Sequence, residues 1–159
     1  MTVKVGAKLP SGDLGYMGAD GPASISTSEL CSGKKIVMFG VPGAFTPTCS
    51  ESHLPSFIAN ADKILAKGVD RIVCISVNDP FVMHAWGKTQ NAEDILMAAD
   101  GSAVFTKALG LELDLIERGL GIRSQRFSMI VDDGEITDLF VEDGPVFKVS
   151  SAEKILEQL

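Results

Sequence analysis

The stretch Lys35-Ile-Val-Met-Phe-Gly-Val41 runs directly into Pro42-Gly-Ala-Phe-Thr-Pro-Thr-Cys49-Ser-Glu-Ser-His-Leu-Pro55. Its first seven residues are a short, almost unbroken apolar run stopped by Pro42-Gly43, which predicts a strand buried on both faces. Beyond the loop, Leu54, Phe57, Ile58, Ala61, Ile64 and Leu65 recur at three and four residues until Gly68 ends the pattern. That spacing predicts a helix lying on the strand. A doubly buried strand followed by an amphipathic helix is the repeating unit of a parallel sheet covered by helices.

Working outward, residues 71–77 (Arg-Ile-Val-Cys-Ile-Ser-Val) read as a second buried strand, and Asp79-Pro80 as the N-cap and first position of a helix over 81–89. Residues 95–98 suggest a short strand, and 103–109 a short helix closed by Gly110; 111–124 carry no decisive pattern. Residues 126–131 and 135–141 flank Asp132-Asp133-Gly134 and read as a hairpin. Ser150 or Ser151 caps a last helix reaching Leu159, and Gly12, Gly15, Gly18 and Gly21 read as turn residues. The order predicts one α/β domain over residues 1–159, a central mixed sheet with helices on both faces and an antiparallel edge.

Composition bounds the function. With 45% hydrophobic and 22% charged residues the chain can build a core. Fourteen basic against 21 acidic side chains give a net charge of −7, which argues against nucleic acid or an anionic membrane surface as a partner. The longest apolar run, 36–45, is interrupted by Gly40, Pro42 and Gly43 and is far short of the roughly 20 residues that span a bilayer. The first eight residues lack the apolar core of a signal peptide, and three cysteines cannot all pair within one chain. A reducing, cytoplasm-like compartment is the expectation, or an organelle after removal of a transit peptide.

The loop around Cys49 holds the chemistry. Thr48 with Glu51 makes a capping box, and Thr46 followed by Pro47 is an equally lawful helix entrance. Either puts Cys49 in the first helical turn, where free N–H groups and the helix dipole favour a thiolate. Two prolines and two threonines around one thiol suit a preorganised polar site better than a packed structural cysteine. A cation is needed, and none lies between Lys35 and Lys63. Arg126, opening an apolar strand, is the candidate, with Arg123 second; either could equally pair with a surface carboxylate. Cys74 sits mid-strand, a packed residue or a resolving thiol 25 residues from Cys49. Pairing them requires the turn at Cys49 to unwind, which Pro55 assists by disrupting the helix at Glu51. His53 shares the helix face of Cys49 as a base, a substrate donor or a packing residue, and Cys31 reads as packed. Two histidines and three dispersed cysteines match no metal site, and no phosphate-binding glycine motif is complete. No cofactor is expected.

Pro42-x-x-x-Thr46-x-x-Cys49 is similar to the peroxiredoxin signature. Together with Val77-Asn-Asp-Pro-Phe-Val-Met and Arg126-Phe-Ser-Met-Ile-Val, it resembles the type II or type V branch, the atypical peroxiredoxins, over nearly the whole chain. The resemblance implies a thioredoxin-like fold and reduction of hydrogen peroxide and alkyl hydroperoxides. It implies that Cys49 is the peroxidatic nucleophile, Thr46 a hydroxyl donor, Pro42 the shield of the pocket and Arg126 the cation. The branch also implies a homodimer, with thioredoxin or glutathione and glutaredoxin as reductant. Members that resolve near the C-terminus carry a cysteine around 147–151, and this chain has none there. Cys74 fits the pattern in which the partner lies on the strand after the first helix; otherwise an external thiol attacks the sulfenic acid. A peroxide sensor or holdase without turnover is the alternative, and a thiol–disulfide oxidoreductase is disfavoured because no Cys-x-x-Cys exists.

Overall fold

A computed structural model describes residues 1–159. The Lys35 strand is β3 (Lys35–Gly40); β4 (Arg71–Ser76) lies beside it and β5 (Ile95–Ala99) beside β4. These three are parallel, with Phe39 opposite Cys74 and Cys74 opposite Met97. On the far side of β3, β8 (Phe127–Asp132) and β9 (Glu135–Val141) add antiparallel strands. Their link is Asp133-Gly134, with φ of 48° and 84°, the pair of left-handed residues that a tight hairpin requires.

Of the N-terminal glycines, Gly18 and Gly21 close a tight turn at Ala19-Asp20 as expected, whereas Gly15 is mid-strand. Gly15 and Gly18 lie in β1 (Asp13–Gly18) and Gly21 opens β2 (Gly21–Ser26), an antiparallel pair that docks on β5 and completes a seven-stranded sheet. Glycine-rich strands have weak intrinsic strand propensity, so this hairpin is held by its neighbours rather than signalled by its residues. Gly15 permits close approach: a Cβ there would lie 3.4 Å from the Pro80 ring of the helix above. The undecided segment 111–124 is a second hairpin, β6 (Glu112–Leu115) and β7 (Gly121–Ser124), paired outside the main sheet. A short helix, α1 (Thr27–Cys31), also went unsignalled; it is capped by Ser26 and buries Cys31.

Side-chain alternation along the sheet gives each face its own core. Val37, Phe39, Cys74 and Ile130 pack with Phe57 of α2 (Leu54–Ala66), Trp86 of α3 (Pro80–Gln90) and Ile155 of α5 (Ala152–Gln158). Ile36, Met38, Val73 and Met129 pack with Leu30 and with Phe105 of α4 (Val104–Leu109) on the opposite face. Asp79 and Ser151 cap α3 and α5 through their side chains. Ion pairing takes little part, since the one ion pair is Lys154–Glu157 at 3.6 Å with both side chains exposed.

Candidate active site

The parallel strands end together, and their carboxyl-end loops build the site, as is usual in sheets of this kind. Pro47 is the first helical residue after β3, so Thr46 rather than Thr48 occupies the N-cap position, and its carbonyl accepts the amide of Ser50 at 3.0 Å. Neither threonine side chain caps the helix. The Thr46 hydroxyl donates to the Gly43 carbonyl at 2.7 Å and Thr48 makes no capping bond. With its proton on the Gly43 carbonyl, Thr46 turns its hydroxyl lone pairs to an incoming ligand.

Cys49 begins a π-helical turn, Cys49–His53, in which the Leu54 amide bonds to the Cys49 carbonyl one residue beyond α-helical spacing. Pro55 supplies the cause: its ring cannot donate and crowds the carbonyl four residues back, and widening the preceding turn relieves that crowding. The thiol is fully buried. Pro42 and Ala44 lie in the loop above it, which Asn78 ties down by accepting from the Ala44 amide at 3.0 Å and the Ser76 hydroxyl at 2.7 Å. Phe45, a non-glycine residue at φ 66°, is thrust outward and is 55% exposed.

Arg126, immediately before β8, reaches under the turn. Its Nη2 donates to Cys49 Sγ at 3.2 Å, and its Nη1 donates to His53 Nδ1 at 3.0 Å. The guanidinium is 8% exposed, so its charge acts across little water. Arg123 takes the other place: it donates to the carbonyls of Leu120 at 2.7 Å and Pro42 at 3.4 Å, bracing the loop from outside. His53 is shut off from solvent, and its Nδ1 lone pair is taken by Arg126. Burial first, and Arg126 second, push its pKa down to about 3, so the ring is neutral. Its Nε2 donates to the Ser150 carbonyl at 2.9 Å, and Phe39, Phe57 and Phe147 surround it.

Behind Ser150 stands a residue that the sequence reading missed. Glu142, 4% exposed, accepts at Oε2 from the amides of Lys148, Val149 and Ser150 at 2.9, 2.9 and 2.8 Å and from the Ser150 hydroxyl at 2.6 Å. Burial alone would raise its pKa, but the bonds from Ser150, Lys148 and Val149 together outweigh it and hold the carboxyl below its ordinary range. Trp86 Nε1 donates to the Ser50 hydroxyl at 3.0 Å, beside the reactive turn. The signals for these residues were an acid ending an apolar strand and an Asn opening a helix loop, neither distinctive without the fold.

Cys74 lies in the same core as Cys49, fully buried at the centre of β4. Burial and the neighbouring Cys49 push its thiol well above the ordinary value, with Arg126 opposing them. No two of the three cysteines are bridged, and Cys31 is raised to about 11 by burial, against a smaller pull from Lys34.

A family model described as Redoxin matches residues 4–156. The chain belongs to the redoxin family, among its peroxiredoxins. Peroxiredoxin-2D of Arabidopsis thaliana is 50% identical and peroxiredoxin-2C of Oryza sativa subsp. japonica 52%, each alignment covering 99% of this chain and 98% of the relative. The structure of reduced Prx3 from Vibrio vulnificus in complex with hydrogen peroxide superposes with a TM-score of 0.96 at 54% identity, covering 99% of both chains. This peroxiredoxin is therefore a thiol-dependent peroxidase with a thioredoxin-like fold, and its family's chemistry runs through a peroxidatic cysteine.

Proposed function

We propose that Cys49 is that cysteine and that Arg126, Thr46 and Pro42 complete its site. The observation that carries the reading is the 3.2 Å bond from Arg126 Nη2 to Cys49 Sγ, a buried cation on a buried sulfur. It sets a charged donor on the sulfur and leaves guanidinium N–H groups aimed where charge develops on a breaking O–O bond. The thiolate sulfur bonds to the hydroxyl oxygen of the peroxide as the O–O bond breaks. The other oxygen departs as hydroxide or alkoxide next to Arg126 and takes a proton from solvent, giving water or alcohol and a sulfenic acid on Cys49. Thr46 accepts the peroxide hydroxyl hydrogen and so orients the attacked oxygen, while Pro42 limits water at the thiol. The substrates are hydrogen peroxide and alkyl hydroperoxides.

Resolution follows by Cys74. The two cysteines share one core, and the π-turn is the segment whose opening brings the oxidised sulfur to β4. Thioredoxin, or glutathione with glutaredoxin, returns the disulfide to thiols. Phe45 on the loop after β3, Phe81 in the first turn of α3 and Val104 at the start of α4 are exposed, and this apolar rim is the face through which two copies pair. The site of action is a reducing, cytoplasm-like compartment, in keeping with an odd number of cysteines that cannot all pair within the chain; no helix is long and apolar enough to cross a membrane.

Intact mass after brief exposure of the reduced protein to one equivalent of hydrogen peroxide tests this. Wild type should lose two hydrogens, Cys74→Ser should gain one oxygen, and Cys49→Ser should stay unchanged. Wild type gaining oxygen assigns resolution to an external thiol. Oxidation without subsequent turnover on any thiol donor would favour a sensor over an enzyme.

A further inference from the structure

The segment between β9 and α5, residues 142–151, is folded mainly by one side chain. Glu142 Oε2 gathers three amides and a hydroxyl, and the last of those residues, Ser150, turns its carbonyl to His53. From there the bonds continue through His53 Nδ1 to Arg126 and from Arg126 to Cys49 Sγ. Both ends of this series have fixed polarity, because an ionised carboxylate only accepts and a guanidinium only donates. Every bond between them is therefore forced. Nε2 of His53 must carry the proton, and Nδ1 must be bare. The opposite tautomer would set an N–H against the Arg126 N–H and a lone pair against the Ser150 carbonyl oxygen.

We propose that Glu142 is a positioning residue for the peroxidatic site, acting through Ser150 and His53 to hold Arg126 on Cys49. This rests on the assignment of Arg126 as the activating cation. The carboxylate touches neither sulfur nor substrate. It fixes the Ser150 carbonyl, the carbonyl fixes the ring tautomer, and the bare Nδ1 anchors one arm of the guanidinium so that the other stays on sulfur. A flexible arginine side chain has many rotamers to lose, and two anchored ends remove that freedom before peroxide arrives. Polarisation along a hydrogen-bonded series reinforces each member, and the negative end at Glu142 has the right sign to strengthen the acceptor facing Arg126.

The test is a double-mutant cycle read in single-turnover oxidation, followed by fluorescence of Trp86, the only tryptophan, bonded to the residue after Cys49. Glu142→Gln in the wild-type background should slow oxidation about tenfold, within the range seen for coupled neighbours. The same substitution added to Arg126→Met should change the rate by less than about twofold, because the group it serves is gone. Ser150→Ala, which removes one of the four bonds and leaves the carbonyl in place, should give a smaller loss with the same dependence on Arg126, and serves if the Glu142 variant does not fold. Imidazole 15N shifts provide a second readout in a chain with only two histidines: His53 should show a single Nε2–H tautomer that Glu142→Gln loses. Equal losses in both backgrounds, or an unaltered tautomer and rate in Glu142→Gln, overturn the proposal. A wild-type rate in Arg126→Met alone would instead overturn the parent assignment.

Discussion

Replacing Arg126 with Met keeps a long side chain under the reactive turn while deleting the charge and both of its donors. At 3.2 Å and an effective dielectric of about 20, the bare attraction between guanidinium and thiolate is roughly 5 kcal/mol. Much of that is offset by desolvation, and a hydrogen bond to a charged group contributes about 1.5–3 kcal/mol net. Loss of a preorganised donor at developing negative charge costs about 10²–10³-fold in rate. The second-order rate of Cys49 oxidation by hydrogen peroxide at pH 7 should therefore fall by about 10²-fold or more. Stopped-flow Trp86 fluorescence on reduced protein measures it directly. Stability changes separately: His53 Nδ1 is left buried without its donor, at a cost of about 1–3 kcal/mol. Calorimetry should show a folded protein with a Tm lower by several degrees. A folded variant that oxidises within about tenfold of wild type would refute the claim that Arg126 activates the thiol.

Gly40→Ala should destabilise the protein by about 1–3 kcal/mol, because the new methyl would sit where the Phe127 ring packs across the strand pair; urea unfolding checks it. The pH dependence of stability follows from His53, whose folded pKa of about 3 is below its ordinary 6.5. Below pH 6.5 the unfolded chain takes up a proton that the folded one refuses, so stability falls as pH drops from 6.5 towards 3, at up to about 1.4 kcal/mol per pH unit. Glu142, also depressed, adds to the loss in the carboxylate range. Denaturant titrations at pH 7, 5 and 4 should show that slope, and His53→Gln should flatten it. Cys74→Ser should retain the fast first oxidation yet lose turnover with thioredoxin, measured by coupled NADPH consumption; full turnover would remove Cys74 from the cycle.

Where local pattern and tertiary structure agree, the sequence was readable. The buried strands at 35–41 and 71–77, the Asp79-Pro80 helix entrance and the Asp133-Gly134 hairpin are each set by residues in contact along the chain. Arg126 was readable for the opposite reason, as a charge misplaced at the mouth of an apolar strand, and it lies on the thiol. The β1–β2 hairpin was not, because its glycines carry no periodic apolar signal and mark its turn without marking the strands on either side. Thr46 was placed at the helix entrance, but the direction of its hydroxyl bond depends on the Gly43 carbonyl, which a motif does not specify. The π-turn could be foreseen only in part: Pro55 announced a disturbed helix without saying that the turn would widen. Glu142 and Ser150, about a hundred residues from the thiol, meet it only because β9 returns beside β8.

The single ion pair has a kinetic meaning. Beyond Lys154–Glu157 no opposite charges meet in an ion pair, and the excess of seven negative charges forms a diffuse outer field. Hydrogen peroxide is neutral and crosses that field unaffected, so the oxidising half of the cycle should be indifferent to ionic strength. A charged thiol donor is not exempt: acidic donors are held off and basic ones drawn in until salt shortens the field to about 10 Å near 0.1 M. The two halves of one catalytic cycle thus meet their substrates under different rules, and only the reducing half should respond to the salt concentration of the surroundings.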